Sequence, residues 1–154
     1  YKGEKIADIF IESVKSLKPI NCPSKYNSAA IDEFLLIFLV AAKANGISKF
    51  QNLSELNQKE SPRLIWGSKI LNKMGIKTVI TNNDLKIYGN PNLKVDKDIV
   101  IDKFLKDHRV FMSSVVAALS FEGRGKWKIF DTDSIKTSFP SFLDKIKSLG
   151  AKFH

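Results

Sequence analysis

The 154-residue chain is 44% hydrophobic, enough for one globular domain with a sizeable core, which excludes disordered and fibrous classes. One cysteine, Cys22, excludes an internal disulfide and a cysteine metal cluster, suits a reducing cytoplasm, and reads as an incidental thiol because no motif surrounds it. The formal charge of +9 favours anionic partners, but the lysines are scattered, without zinc-finger spacing or a basic-aromatic motif, and the most apolar run, Phe34 to Ala42, is short for a membrane span, so neither nucleic acid nor membrane is expected as a partner.

Taken in order, Ile6 to Ile11 reads as a strand, followed by a polar loop through Pro19, Pro23 and Ser28. Ile31 to Asn45 is hydrophobic almost all round and reads as a helix buried on several sides and stopped by Gly46. Ile47 to Phe50 reads as a strand, and after a turn at Asn52 to Glu55 a helix is expected from about Pro62 to Lys73, before Gly75. Lys77 to Ile80 and Leu85 to Tyr88 flank Asn82-Asn83-Asp84 as a hairpin, giving a βαβαββ unit.

The second half repeats this plan. A strand at Ile99 to Ile101 leads to a helix from about Arg109 to Ser120, closed by Gly123, then a strand at Trp127 to Phe130. Thr137-Ser138-Phe139-Pro140 opens a last helix ending at Leu149-Gly150, and Ala151 to Phe153 starts another strand. Met74-Gly75-Ile76-Lys77 and Leu149-Gly150-Ala151-Lys152 hold matching places about 75 residues apart, as in an internal duplication. The expected class is α/β, one domain over 1–154 with repeat units at about 6–90 and 95–154, apolar helices inside and sheets outside. A simple doubly wound sheet is the alternative, and no Gly-x-Gly-x-x-Gly or Walker segment supports a nucleotide site.

The arginines carry the functional signal. Only Arg63, Arg109 and Arg124 occur among 25 basic residues, so lysine serves wherever a generic charge suffices. Arg63 and Arg109 each fall in the expected first turn of a helix, where partial positive charge already gathers and a cation is unfavourable unless an anion sits opposite. A guanidinium holds a carboxylate or phosphate through two parallel hydrogen bonds, which an ammonium cannot do. Both arginines are therefore candidate ligands for small acids. Arg124, between two glycines, reads as solvated charge, while Trp66, Phe38 and Phe111-Met112 read as core.

Four segments in order resemble the enolpyruvyl transferases, and within them the EPSP synthase family: Ala30-Ile31-Asp32-Glu33, Lys59-Glu60-Ser61-Pro62-Arg63-Leu64, Asp107-His108-Arg109 with Met112, and Thr137-Ser138-Phe139-Pro140-Ser141-Phe142 with Leu149-Gly150-Ala151. The resemblance covers nearly the whole chain. It implies an inside-out α/β barrel lobe of βαβαββ units with buried helices whose N-termini face a cleft, of which this chain resembles two units of the C-terminal lobe. It further implies transfer of enolpyruvyl from phosphoenolpyruvate to the 5-hydroxyl of shikimate 3-phosphate with release of phosphate, without metal or organic cofactor, in aromatic amino-acid biosynthesis in the cytoplasm. The partners implied are these two substrates and the N-terminal lobe, the full-length protein being a monomer. Because the sequence starts at Tyr1 and matches one lobe, the chain is expected to be part of a longer protein and inactive alone.

By the same resemblance, Arg63 and Arg109 bind phosphoenolpyruvate and Lys59 lies near the shikimate hydroxyl. Asp32 binds that hydroxyl and accepts its proton, Glu60 is the acid for the methylene carbon, and His108 contacts phosphate or supports a contact. Taken alone, Asp32 reads more readily as the cap of a buried helix, and Glu60-Ser61 could be ordinary helix-start chemistry. The family commonly has an aspartate where Pro62 stands, and some members have a lysine where Thr137 stands, next to Lys136 here. A lobe of the UDP-N-acetylglucosamine enolpyruvyl transferases and a non-catalytic basic binding module are the alternatives.

Overall fold

The apolar run Phe34–Ala42 forms helix α1, about which the rest packs in the computed structural model, which describes residue 3 and residues 6–153. Phe34, Leu35, Phe38, Leu39, Ala41 and Ala42 are buried, while Leu36 and Val40 stay exposed. Phe38 lies edge-on to Phe50 of strand β2 (Gly46–Phe50), with ring centroids 5.1 Å apart, a geometry the ring quadrupoles favour. Helices α2 (Arg63–Met74) and α3 (His108–Ser120) pack against α1 and against each other.

Two sheets flank these helices. Strand β1 (Asn21–Cys22) runs parallel to β2, which pairs antiparallel with β4 (Asp84–Gly89), and β4 pairs antiparallel with β3 (Lys77–Thr81). The sheet order is β1-β2-β4-β3. The hairpin loop is Asn82-Asn83, both with positive φ (49° and 68°), as a two-residue turn requires and asparagine tolerates. The chain to residue 89 is thus βαβαββ. Beyond it, β5 (Ile99–Ile101) pairs parallel with β6 (Trp127–Ile129), α3 lies between them in sequence, and α4 (Phe142–Ser148) follows.

Several expectations are corrected. Ile6 to Ile11 forms no strand, and Ile6, Ile9, Phe10 and Ile11 are 78–85% exposed. A strand exists by pairing, and the edge beside β2 is taken instead by Asn21–Cys22, whose two residues carry little strand signal. Helix α1 starts at Phe34 rather than Ile31, after a series of turns, and ends at Ala42, so Gly46 opens β2 rather than closing the helix. Helix α3 likewise ends before Gly123, through Phe121 in extended conformation. Ala151 to Phe153 is not a strand, α4 starts two residues after Pro140, and the expected domain ends Tyr1 and His154 lie outside the described residues.

The paired glycines behave as expected. After α2, Gly75 has φ 102°, its N–H donates to Asn72 O, and Ile76 N–H donates to Leu71 O. After α4, Gly150 has φ 100°, with Gly150 N–H to Lys147 O and Ala151 N–H to Ile146 O. The two helices therefore end in the same left-handed cap, which a side chain at either glycine would strain.

Close approach of α1 and α2 depends on Gly67, where a Cβ would lie 2.7 Å from Phe38 Cδ2 and 3.1 Å from Leu35 Cδ2. Glycine to alanine within a helix normally stabilises by about 1 kcal/mol. Here Phe38 is fully buried against Phe34 and Phe50 and has no room to yield. Gly67→Ala is expected to destabilise by about 1–3 kcal/mol through overpacking, measured by denaturant unfolding. A stabilised variant would show that the two helices can separate freely.

Candidate active site

Arg63 is the first residue of α2, as the sequence indicated, but its charge is not exposed: the side chain is 3% accessible. Its Nε donates to Asp107 Oδ2 at 2.9 Å and Nη2 reaches Asp107 Oδ1 at 3.3 Å, so one carboxylate takes one edge of the guanidinium. The other edge serves two further acids, Nη1 to Asp32 Oδ1 at 2.9 Å and Nη2 to Glu60 Oε2. Helix α2 itself has no side-chain cap, since Pro62 precedes it and the Ser61 hydroxyl donates to Asp107 Oδ2 at 2.8 Å. The helix-start reading of Glu60-Ser61 is therefore replaced by contacts to Arg63 and Asp107.

Arg109 is the second residue of α3. Its Nη1 donates to Glu33 Oε1 at 2.9 Å and to the Asp32 main-chain oxygen at 3.0 Å, and its Nη2 lies 3.6 Å from Asp32 Oδ2. Asp32 thus stands between the two arginines and caps no helix, for the residue before α1 is Glu33, whose side chain makes no cap hydrogen bond either. The Asp32 and Glu60 side chains are about half exposed, whereas Asp107 is wholly buried.

Asp107 is the residue the sequence underplayed. Besides Arg63 and Ser61, it accepts the Arg109 main-chain N–H at 2.9 Å and so caps α3. Burial works against its charge, but the hydrogen bonds and positive charge of Arg63, with Ser61 and the Arg109 N–H, hold the carboxyl below its usual range. Burial opposes the Arg63 charge in the same way, and Asp107, Glu60 and Asp32 outweigh it, keeping the guanidinium ionised. The approach to Asp107 is strained, with Lys103, Leu105 and Lys106 all near φ 56° and Phe104 between them buried edge-on to Trp66 at 6.0 Å. The rule that aspartate favours the position before a helix would have marked the cap, but not its burial.

The remaining candidates are placed less tightly. Lys59 immediately precedes Glu60 and is half-buried, and His108 opens α3 between Asp107 and Arg109. Neither side chain makes a hydrogen bond or ion pair among the described residues. Phe139 of the Thr137-to-Phe142 segment joins Asp32, Arg109, Met112 and Phe142 around a hollow of about 250 Å³, while Lys136 and Thr137 are exposed and do not line it. A larger hollow of about 620 Å³, by Trp66, Lys73 and Lys97, contains none of the candidate residues. Arg124 is 93% exposed, and Cys22 sits in β1 with its thiol pKa raised by burial, as suits solvated charge and an inert thiol.

The Asp107 carboxyl gives the fold an acid-sensitive element. Its folded pKa lies below the unfolded one, so its contribution is complete above the ordinary carboxylate value near 4 and is lost as pH falls through the lower folded value. The wild-type chain is expected to unfold progressively more easily as pH falls through this window. Asp107→Asn should be weaker at neutral pH and flatter below 4, which thermal melts across pH would register.

A family model for EPSP synthase (3-phosphoshikimate 1-carboxyvinyltransferase) matches residues 4–146. A 3-phosphoshikimate 1-carboxyvinyltransferase of Ruthia magnifica is 37% identical over 96% of this chain and 33% of its own length, and that of Zymomonas mobilis is 37% identical over 98% and 33%. The chain thus spans about a third of these relatives. An EPSP synthase structure from Acinetobacter baumannii superposes with TM-score 0.76 at 31% identity, over 86% of this chain and 30% of that one. The enolpyruvyl transferase NikO from Streptomyces tendae superposes with TM-score 0.60 over 90% of this chain and 30% of that one, and at 15% identity shows the shared fold alone. The chain has the α/β fold of these proteins and belongs to the EPSP synthase family.

Proposed function

We propose that this chain contributes part of the C-terminal lobe, as two units at about 6–90 and 95–154, to an enzyme that transfers enolpyruvyl from phosphoenolpyruvate to the 5-hydroxyl of shikimate 3-phosphate. The observation that carries this reading is the meeting of Asp32, Glu60, Arg63 and Arg109, from three separate segments, in one connected set of ion pairs. The like endings of α2 and α4 support the division into units. No described helix is long and apolar enough to cross a membrane. On the family resemblance alone, the full-length enzyme is assigned to the cytoplasm as a monomer.

In this reading the exposed carboxylates are exchangeable partners of the arginines. A phosphoenolpyruvate carboxylate arriving at the hollow meets Arg109 and competes with Asp32 and Glu33 for its N–H groups, and it reaches Arg63, which does not line the hollow, as Asp32 and Glu60 give way. Asp32, released from Arg63, takes the proton of the attacking hydroxyl as its oxygen bonds to C2, while Glu60, having left Arg63 and taken a proton from solvent, gives that proton to the methylene carbon. Glu60 then recovers a proton from the new methyl group, the bond from C2 to the phosphate oxygen breaks, and phosphate leaves with the proton held by Asp32. Lys59 lies beside the transferring group and His108 beside a phosphate.

The test is Arg63→Lys with Arg109→Lys in a polypeptide supplying the other two thirds of the relatives' length. Each lost bidentate contact is expected to raise the phosphoenolpyruvate KM by roughly 10- to 100-fold, with unfolding little changed for Arg109→Lys. Unchanged phosphoenolpyruvate kinetics would refute the site, and consumption of UDP-N-acetylglucosamine instead of shikimate 3-phosphate would refute the acceptor. Steeply salt-dependent DNA binding, indifferent to both substitutions and without turnover, would favour a basic binding module.

A further inference from the structure

Asp107 lies behind the residues just given roles and touches no part of the hollow. Four donors converge on its two oxygens, Ser61 Oγ and Arg63 Nε on Oδ2, and Arg63 Nη2 and the Arg109 main-chain N–H on Oδ1. Ser61 lies just before α2 and Arg63 is its first residue, 46 and 44 residues before Asp107, while Arg109 lies in the first turn of α3. We propose that Asp107 is a positioning residue for both arginines, clamping the Nε edge of Arg63 and fixing the first turn that carries Arg109, so that one buried carboxylate sets the two guanidinium groups relative to each other.

Three features separate this from an ordinary ion pair. Asp107 and Arg63 are both buried, so the pair is shielded from water and salt, unlike the half-exposed contacts to Asp32 and Glu60. Binding through Nε and one Nη fixes the guanidinium plane, which a single contact would leave free to turn. Only the edge carrying Nη1 then remains for exchangeable partners. Asparagine is not an equivalent, because its amide group would set a donor against two of the four donors.

That Asp107 serves substrate binding rests on the function proposed above, but the clamp itself can be read without turnover. In the wild-type chain the Arg63 Nε–H is expected as a slowly exchanging NMR resonance. Asp107→Asn should abolish its protection, and Ser61→Ala, which removes one donor and keeps the carboxylate, should speed its exchange several-fold. In the longer polypeptide, Asp107→Asn should raise the phosphoenolpyruvate KM by roughly 10- to 100-fold per folded molecule, and Ser61→Ala less, with kcat changed little. Should Asp107→Asn not fold, Ser61→Ala carries both readouts. Protection retained in every folded variant would overturn the clamp, and a KM equal to wild type in every folded variant would reduce Asp107 to a stability role. Lost protection together with phosphoenolpyruvate kinetics indifferent to Arg63→Lys would uphold the clamp and overturn the substrate reading.

Discussion

The contact on which the rest depends is the buried pair of Asp107 and Arg63. Removing a carboxylate and a guanidinium from water costs several kcal/mol each, and their attraction offsets this only when the remaining hydrogen-bonding positions are filled. Here they are: Asp107 receives four N–H or O–H donors, and Arg63 reaches three carboxylates. The Asp107–Arg63 pair is close to all-or-none, since deleting either partner strands the other in a place water does not reach. It therefore ties the start of α2 to the start of α3 in one orientation, which apolar packing, having no preferred direction, does not specify. The left-handed residues Lys103, Leu105 and Lys106 are tolerated because Phe104, locked against Trp66, and Asp107 over-determine their loop.

A hierarchy of carboxylates follows. Four of them, Asp32, Glu33, Glu60 and Asp107, face two guanidinium groups, so the acids outnumber the arginines they contact. Solvent access divides their roles. Asp107 has none and is fixed, while the other three are about half exposed and can trade a guanidinium for water at modest cost. Arginines prepared in this way stay charged and oriented before any ligand arrives, which lowers the ordering cost of binding a small acid.

Legibility from the sequence followed the range of the forces involved. The hairpin at Asn82-Asn83, the boundaries of α2 and the caps at Gly75 and Gly150 are local, and local chemistry marked them. The placing of Arg63 and Arg109 in first turns was equally local, and charge at a helix start was enough to single them out. The misreadings were non-local. Ile6 to Ile11 has a strand's composition but no partner among the described residues, and Asn21–Cys22 has a partner but almost no strand composition. For Asp107 the sequence held a helix cap in plain view, whereas its second role depends on a serine and an arginine 46 and 44 residues earlier.

The two helix starts show how such a division of labour can arise. Helix α3 is capped conventionally by Asp107, which spends only part of its accepting capacity on that N–H. Helix α2 follows Pro62, which offers no side-chain acceptor, so its positive end and the arginine on its first residue are left to acids from elsewhere. The remaining capacity of Asp107 answers that need from across the interface. An acidic residue at position 62 would have met the α2 requirement locally. The Nε edge of Arg63 is held by Asp107 from the start of α3, so the arrangement of the site is a property of how the two halves of the chain pack.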